Sequence, residues 1–212
     1  MIASTSPSAT HVSRSIPNGR WTSGPARTTA ELIALLKANP GKYSYGSPGV
    51  GTVHHLAMEI FRTQAGVNII HVPYKGSAQY LPDLISGVLP IAIASVAAAH
   101  PQARAGKLRP IALTRPVKVA IVPDWPTLAE SLPGFDASPS FFIVAPVGTP
   151  GDVVARLSEA LRTAVSAEDL KRSFQAQGAT AEFVAPEVLA ASIENDVRKW
   201  SKVATESGAK LE

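Results

Sequence analysis

YSYGSPGVGTVHHL, residues 43–56, packs three structural signals into fourteen positions. Residues 42–45 read as a short strand with aromatic side chains. Residues 46–51 form a glycine-rich turn. From Thr52 to about residue 65 the apolar positions Val53, Leu56, Ala57, Ile60 and Phe61 recur at helical spacing. Strand, tight turn and helix in that order are half of a βαβ unit. The unpaired N–H groups and positive dipole end of such a helix suit a carboxylate or phosphate. Gly49 and Gly51 let backbone approach a ligand closely. Ser47 and Thr52 add hydroxyl donors, and Thr52 is also the natural N-cap. The turn is nearly a nucleotide-binding loop, but it lacks the phosphate-binding lysine and has Val53 where Ser or Thr is needed. Nucleotide hydrolysis is therefore rejected. Ligand contact and a plain turn both remain open for this stretch.

Working outward, the pattern repeats. Thr28, Thr29 and Glu31 start a helix carrying Leu32, Leu35 and Leu36, which Asn39, Pro40 and Gly41 end. Residues 68–72 read as a buried strand, 77–86 as a helix, 88–94 as a strand, 97–105 as a helix and 108–114 as a strand. That alternation with short connections predicts right-handed βαβ units and a parallel sheet. Residues 116–139 are proline-rich and read as a crossover around a short helix at 127–131. A strand at 140–145, helices to about 166 and over 169–177, and a strand at 179–183 follow. A long helix begins at Pro186, with Leu189, Ile193, Val197, Trp200 and Ala204 along one stripe.

Composition narrows the function classes. Of 212 residues, 45% are hydrophobic and 17% charged, a globular balance. Cysteine is absent, so disulfides, thiolate metal sites and cysteine nucleophiles are excluded. Arg14, Arg20 and Arg27 carry three of the four net positive charges, and no acid lies in residues 1–28. The remainder is close to neutral, so a nucleic-acid surface is not expected. The longest apolar run, about residues 90–99, falls short of the roughly 20 residues a membrane span needs. Residues 1–28 lack the apolar core of a secretory signal and read as a disordered leader.

A second turn, HVPYKGS at 71–77, leaves a strand and enters a helix at Ser77. Gly76 permits a positive φ, and Tyr74 and Lys75 project hydrogen-bonding groups. Lys75 reads either as a solvated loop charge or as an aid to anion binding. His55 and Glu59, at i and i+4, have the spacing of a shared metal site. No further ligand at suitable spacing supports one, so a capping or supporting role for His55 is expected, with no metal or cofactor. No nucleophile elbow and no paired carboxylates occur, and nothing in the chain demands an enzyme.

The two turns occur together with AGKLRPIALT (105–114), VPDWPTLAE (122–130), APVGTP (145–150) and VRKWSKVATESGAKLE (197–212). In that order they resemble the solute receptors of tripartite tricarboxylate transporters, the Bug family, from about residue 29 to 212. The resemblance implies an α/β, periplasmic-binding-protein-like (type II) two-lobed fold. It implies a small carboxylate held in the cleft and passed to membrane transporter subunits, and a periplasmic location. By that resemblance Ser47, Gly51 and Thr52 fall on a carboxylate-holding loop, and His55 on the histidine that opens its helix. Tyr74, Lys75, Gly76 and Ser77 fall on the family's second turn. Ser95 falls beside a loop that often carries an aspartate; Ala94 stands at that position here, which disfavours an amine-bearing ligand.

The family pattern also begins with a strand and a glycine-rich loop that are not found before residue 29. Three segments are thus expected: a leader over 1–28, a complete lobe with the ligand loop over 29–137, and the C-terminal part of a second lobe over 138–212. That second lobe would lack its N-terminal half. With no signal peptide, a chain truly starting at Met1 would stay in the cytoplasm. Two alternatives stand beside solute binding: a truncated, non-binding remnant or interaction module, and a hydrolase using Ser47 and His55.

Overall fold

The computed structural model describes residues 1–3 and 26–207. The first helix, α1 (Thr29–Ala38), starts where Thr28 Oγ1 accepts the Glu31 N–H at 3.1 Å, and buries Leu32 and Leu36. β2 (Ser44–Ser47) leads through the glycine-rich turn into α2 (Val53–Ala65), and β3 (Ile70–Pro73) into α3 (Ser77–Ser86). β4 (Ile91–Ala92), α4 (Val96–Arg104) and β5 (Arg109–Pro110) continue the alternation. The expected elements of this region all form, with ends displaced by a few residues and shorter strands. The short helix expected at 127–131 is a single 3₁₀ turn, Leu128–Glu130.

The sheet differs from the all-parallel expectation. Its order is β3-β2-β4-β1-β5, and β1 (Ile2–Ala3) lies antiparallel between β4 and β5. β2 pairs parallel with β3 on one side and with β4 on the other. Residues 1–3 therefore belong to the sheet, which corrects the leader reading at its start. Residues 4–25 of that expected leader lie outside the described residues. Ala26 is buried, and Thr28 caps a helix, so the leader reading does not hold there either.

Successive strand residues face opposite sides of a sheet, and the core divides accordingly. Tyr45 and Ile91 pack with Leu32, Leu36, Met58 and Phe61 beneath α1 and α2. Ala92 packs with Tyr80, Leu84, Leu89 and Ala99 beneath α3 and α4. A helix–sheet–helix sandwich results. α7 (Pro186–Ser207) lies across α2 and lays Trp200 against the first of these clusters.

The C-terminal part is built differently. α5 (Gly151–Ser166), α6 (Glu168–Ala176) and α7 contain no buried residue. The strands expected at 140–145 and 179–183 do not form. A strand needs neighbours to take its N–H and C=O groups, and none lies beside these segments among the described residues. Phe141 is 95% and Val144 72% exposed as a result. No helix among the described residues is long and apolar enough to cross a membrane.

Candidate functional site

β2, β3 and β4 run in one direction, so the turns that follow them meet at one edge of the sheet. Three helices start there: α2 behind Thr52, α3 behind Gly76 and α4 behind Ser95. Ligands of open α/β sheets sit outside the carboxyl ends of the strands. None of these three helices has an acid in its first turn, whereas α1, α5, α6 and α7 each do. Their positive dipole ends are left uncompensated by acidic side chains of their own first turns.

The turn after β2 is held from within. Gly49 (φ 150°) and Gly51 (φ 73°) take conformations that favour glycine. Ser47 is 0% exposed; its Oγ accepts the Gly49 N–H at 3.2 Å and lies 2.7 Å from His71 Nε2. Thr52 Oγ1 donates to the Gly49 carbonyl at 2.8 Å and accepts the His55 N–H at 3.3 Å. His55 Nδ1 accepts the Gly51 N–H at 3.1 Å. Its other nitrogen then carries the proton and faces Glu59 Oε1 at 3.9 Å. Ser47 and His55 thus shape the turn, and the freely presented Ser47 hydroxyl expected from the sequence is not found. The reason is the neighbouring strand, which places His71 directly against it.

His71 is half-buried in a stack, its ring 4.1 Å from that of His55 and 4.9 Å from that of Tyr45. Burial, then the charge of His55, push the His71 imidazole down to about 4, against the pull of Glu59. Burial also lowers His55. Both rings are therefore neutral near pH 7. Tyr45 Oη donates to Glu59 Oε1 at 3.2 Å, and Arg62 pairs with Glu59 at 2.7 Å. Glu59 is committed to those partners. The described residues hold no group of three His, Asp or Glu able to bind a metal ion.

The turn after β3 is tied to the first, since the Tyr74 N–H donates to the Ser47 carbonyl at 3.0 Å. Tyr74 Oη donates to Asp83 at 2.9 Å, so its hydroxyl is directed along α3. Gly76 (φ 115°) precedes α3 and provides no side-chain cap, so the first N–H groups of α3 are not satisfied that way. Lys75 is exposed, and Ser77 is half-buried. Ser95 Oγ accepts the Ala98 N–H at 3.3 Å and caps α4. The structure therefore brings Ser47, Gly49, Gly51, Thr52, His55 and the 74–77 turn together, with Ser95 on the far side of β2. Sequence reasoning did not single out His71. Its pairing with Ser47 follows from the β2–β3 register, which places Tyr45 opposite His71.

A hydrolase reading would rest on Ser47 and His71 rather than on Ser47 and His55. His71, however, is flanked by rings, and the nearest acid, Glu59, is held by Tyr45 and Arg62. The orienting carboxylate that activates a serine–histidine pair is not among its contacts.

Fold and edge geometry define an α/β domain of the kind that binds small ligands at its strand ends. The family model of the tripartite tricarboxylate transporter family receptor, TctC, matches residues 20–209, and the chain belongs to that family. It is 34% identical to protein BugT of Bordetella pertussis over 85% of this chain and 56% of that protein. It is also 34% identical to a Pseudomonas sp. (strain P51) protein encoded between tcbD and tcbE, over 85% of this chain and 54% of that one. The solved structure of R. palustris Rpa4515 with adipate superposes with a TM-score of 0.77 at 33% identity, covering 90% of this chain and 64% of that one. The chain spans about half the length of these curated relatives. The two-lobed binding-protein class expected from the motifs is the class of these structural neighbours.

Proposed function

We propose that this chain binds a small carboxylate at the carboxyl edge of its sheet, as the extracytoplasmic receptor part of a tripartite tricarboxylate-type transporter. The observation that carries the reading is the meeting of three acid-free helix N-termini at one edge, beside Lys75 and two glycine-rich turns. Membership of the receptor family and the adipate bound to Rpa4515 support a carboxylate over other anions. Ser47, Thr52 and His55 fix the shape of the first turn. The N–H groups that open α3, the exposed Lys75 and the half-buried Ser77 are the groups left to meet a ligand. Binding is by closure around the solute, with no covalent step, and the solute passes to membrane subunits from the periplasm. Calorimetric titration with mono-, di- and tricarboxylates tests this. Saturable heat with at least one of them is expected; no heat and no thermal shift across the panel defeats it.

A second feature bears on how the chain is used. In this reading residues 29–137, with β1 added from the start of the chain, make one lobe, and 138–212 are the C-terminal part of a second one. The exposure of Phe141, Ile143 and Val144, and the absence of buried residues in α5, α6 and α7, support that division. An apolar strip of this kind favours contact with another protein surface.

A further inference from the structure

Gly178 follows α6, on the C-terminal part, and takes a φ of 74°. Its N–H donates to the Gln175 carbonyl and the Ala179 N–H to the Phe174 carbonyl, both at 2.9 Å, the pattern of a glycine that ends a helix. Helix ending accounts for the positive φ but not for what surrounds the residue. Gly66 and Gly106 take similar φ values after α2 and α4, and a Cβ added to either would meet nothing within 4 Å. A Cβ on Gly178 would lie 2.6 Å from Val96 Cβ and 2.7 Å from its Cγ1. Val96 Cβ is bonded to its own backbone, so no change of rotamer makes room.

Val96 opens α4 directly behind its cap, Ser95. Shortly before it, the Ile93 N–H donates to the Gly46 carbonyl at 3.1 Å, and the Tyr74 N–H donates to the neighbouring Ser47 carbonyl at 3.0 Å. The start of α4 is thus tied to the turns after β2 and β3, and the end of α6 meets the first lobe beside them. The helix dipoles agree with this placement. α6 has no base in its last turn and α4 no acid in its first, so the negative end of one helix compensates the positive end of the other. The rest of the C-terminal part gives little hold, since α5, α6 and α7 contain no buried residue.

We propose that Gly178 is the seat on which the C-terminal part closes against the ligand edge, and that its lack of a side chain sets how closely that part approaches. This rests on the carboxylate-binding reading above and adds the residue that governs how long a solute is retained. Gly178 is a positioning residue that acts through Val96. A side chain at 178 holds α6 away from α4, lowers the fraction of chains in the closed arrangement and speeds escape of the ligand. It leaves the turns after β2 and β3, where the ligand is first met, unaltered.

Gly178→Asn separates the seat from the helix end, because asparagine also ends helices in the left-handed conformation. Spin labels on Arg104→Cys and Gln175→Cys, both exposed positions in a chain without cysteine, report the distance between α4 and α6 with no ligand present. Gly178→Asn is expected to lengthen that distance, and Val96→Gly added to it to restore the shorter one. An unchanged distance, or a lengthened one that Val96→Gly does not restore, overturns the seat. Stopped-flow fluorescence with adipate gives the second readout. Dissociation is expected to be about tenfold or more faster in Gly178→Asn, with association within about twofold of wild type and the slow dissociation regained with Val96→Gly. Unchanged dissociation, or an equal loss in association, overturns the role in retention and leaves carboxylate binding standing. A wild-type chain that binds no carboxylate of the calorimetric panel overturns the binding reading and the retention role with it, while the label distances decide the seat on their own.

Discussion

His71 shows how one side chain couples stability to pH. Its folded-state imidazole lies at about 4, below the roughly 6.5 of an unfolded chain. The unfolded state therefore binds the proton more readily, and stability rises with pH across that interval. The stabilisation is complete above about pH 6.5 and is lost as pH falls toward 4. His54 and His55 are lowered by burial as well and act with the same sign. Urea unfolding at pH 7 and at pH 5 checks this. The midpoint should fall at the lower pH, and fall less in His71→Gln. An equal fall in the variant would remove His71 from the account. None of this was legible in the sequence, where His71 was one histidine among five. Its partner Ser47 is 24 positions away, and only the strand register brings the two together.

At the scale of elements, local chemistry was easier to read. Thr28, Thr52 and Ser95 each accept an N–H of the first turn they precede. The cap and the periodic apolar face lie within a few residues of each other, so one sequence window contains the whole signal. Thr52→Ala should cost about 1 kcal/mol of stability by chemical denaturation, with Thr52→Ser recovering most of it. A loss no greater than that of an exposed surface substitution would mean the cap is not what holds this turn. The strands were read less well. β4 and β5 are two residues each, where seven were expected for each. Strand ends depend on what lies alongside, and residues 140–145, with a strong strand pattern, remain unpaired.

The whole molecule joins a well-buried lobe to a C-terminal part that rests lightly on it. The link runs through α7 on α2, and through Gly178, where an added Cβ would lie 2.6 Å from Val96 Cβ. Phe141 and Ile143, 95% and 70% exposed, contribute nothing to that packing. Replacing both with Ser should leave the unfolding free energy within about 0.5 kcal/mol, and should reduce concentration-dependent association measured by light scattering. Unchanged association would show that this strip is not a contact surface, and a large loss of stability would show that it is packed in solution.

The sequence by itself determined the alternation of strands and helices over the first lobe, the positions of the caps and glycine turns, and the family. Each of those signals is local, or is a string of local motifs in fixed order. Tertiary structure decided that Ile2–Ala3 insert antiparallel into the sheet, that His71 meets Ser47, and that Glu59 meets Tyr45 and Arg62. Those outcomes depend on strand order and register, which join residues far apart in the chain and leave no periodicity for a single sequence to display.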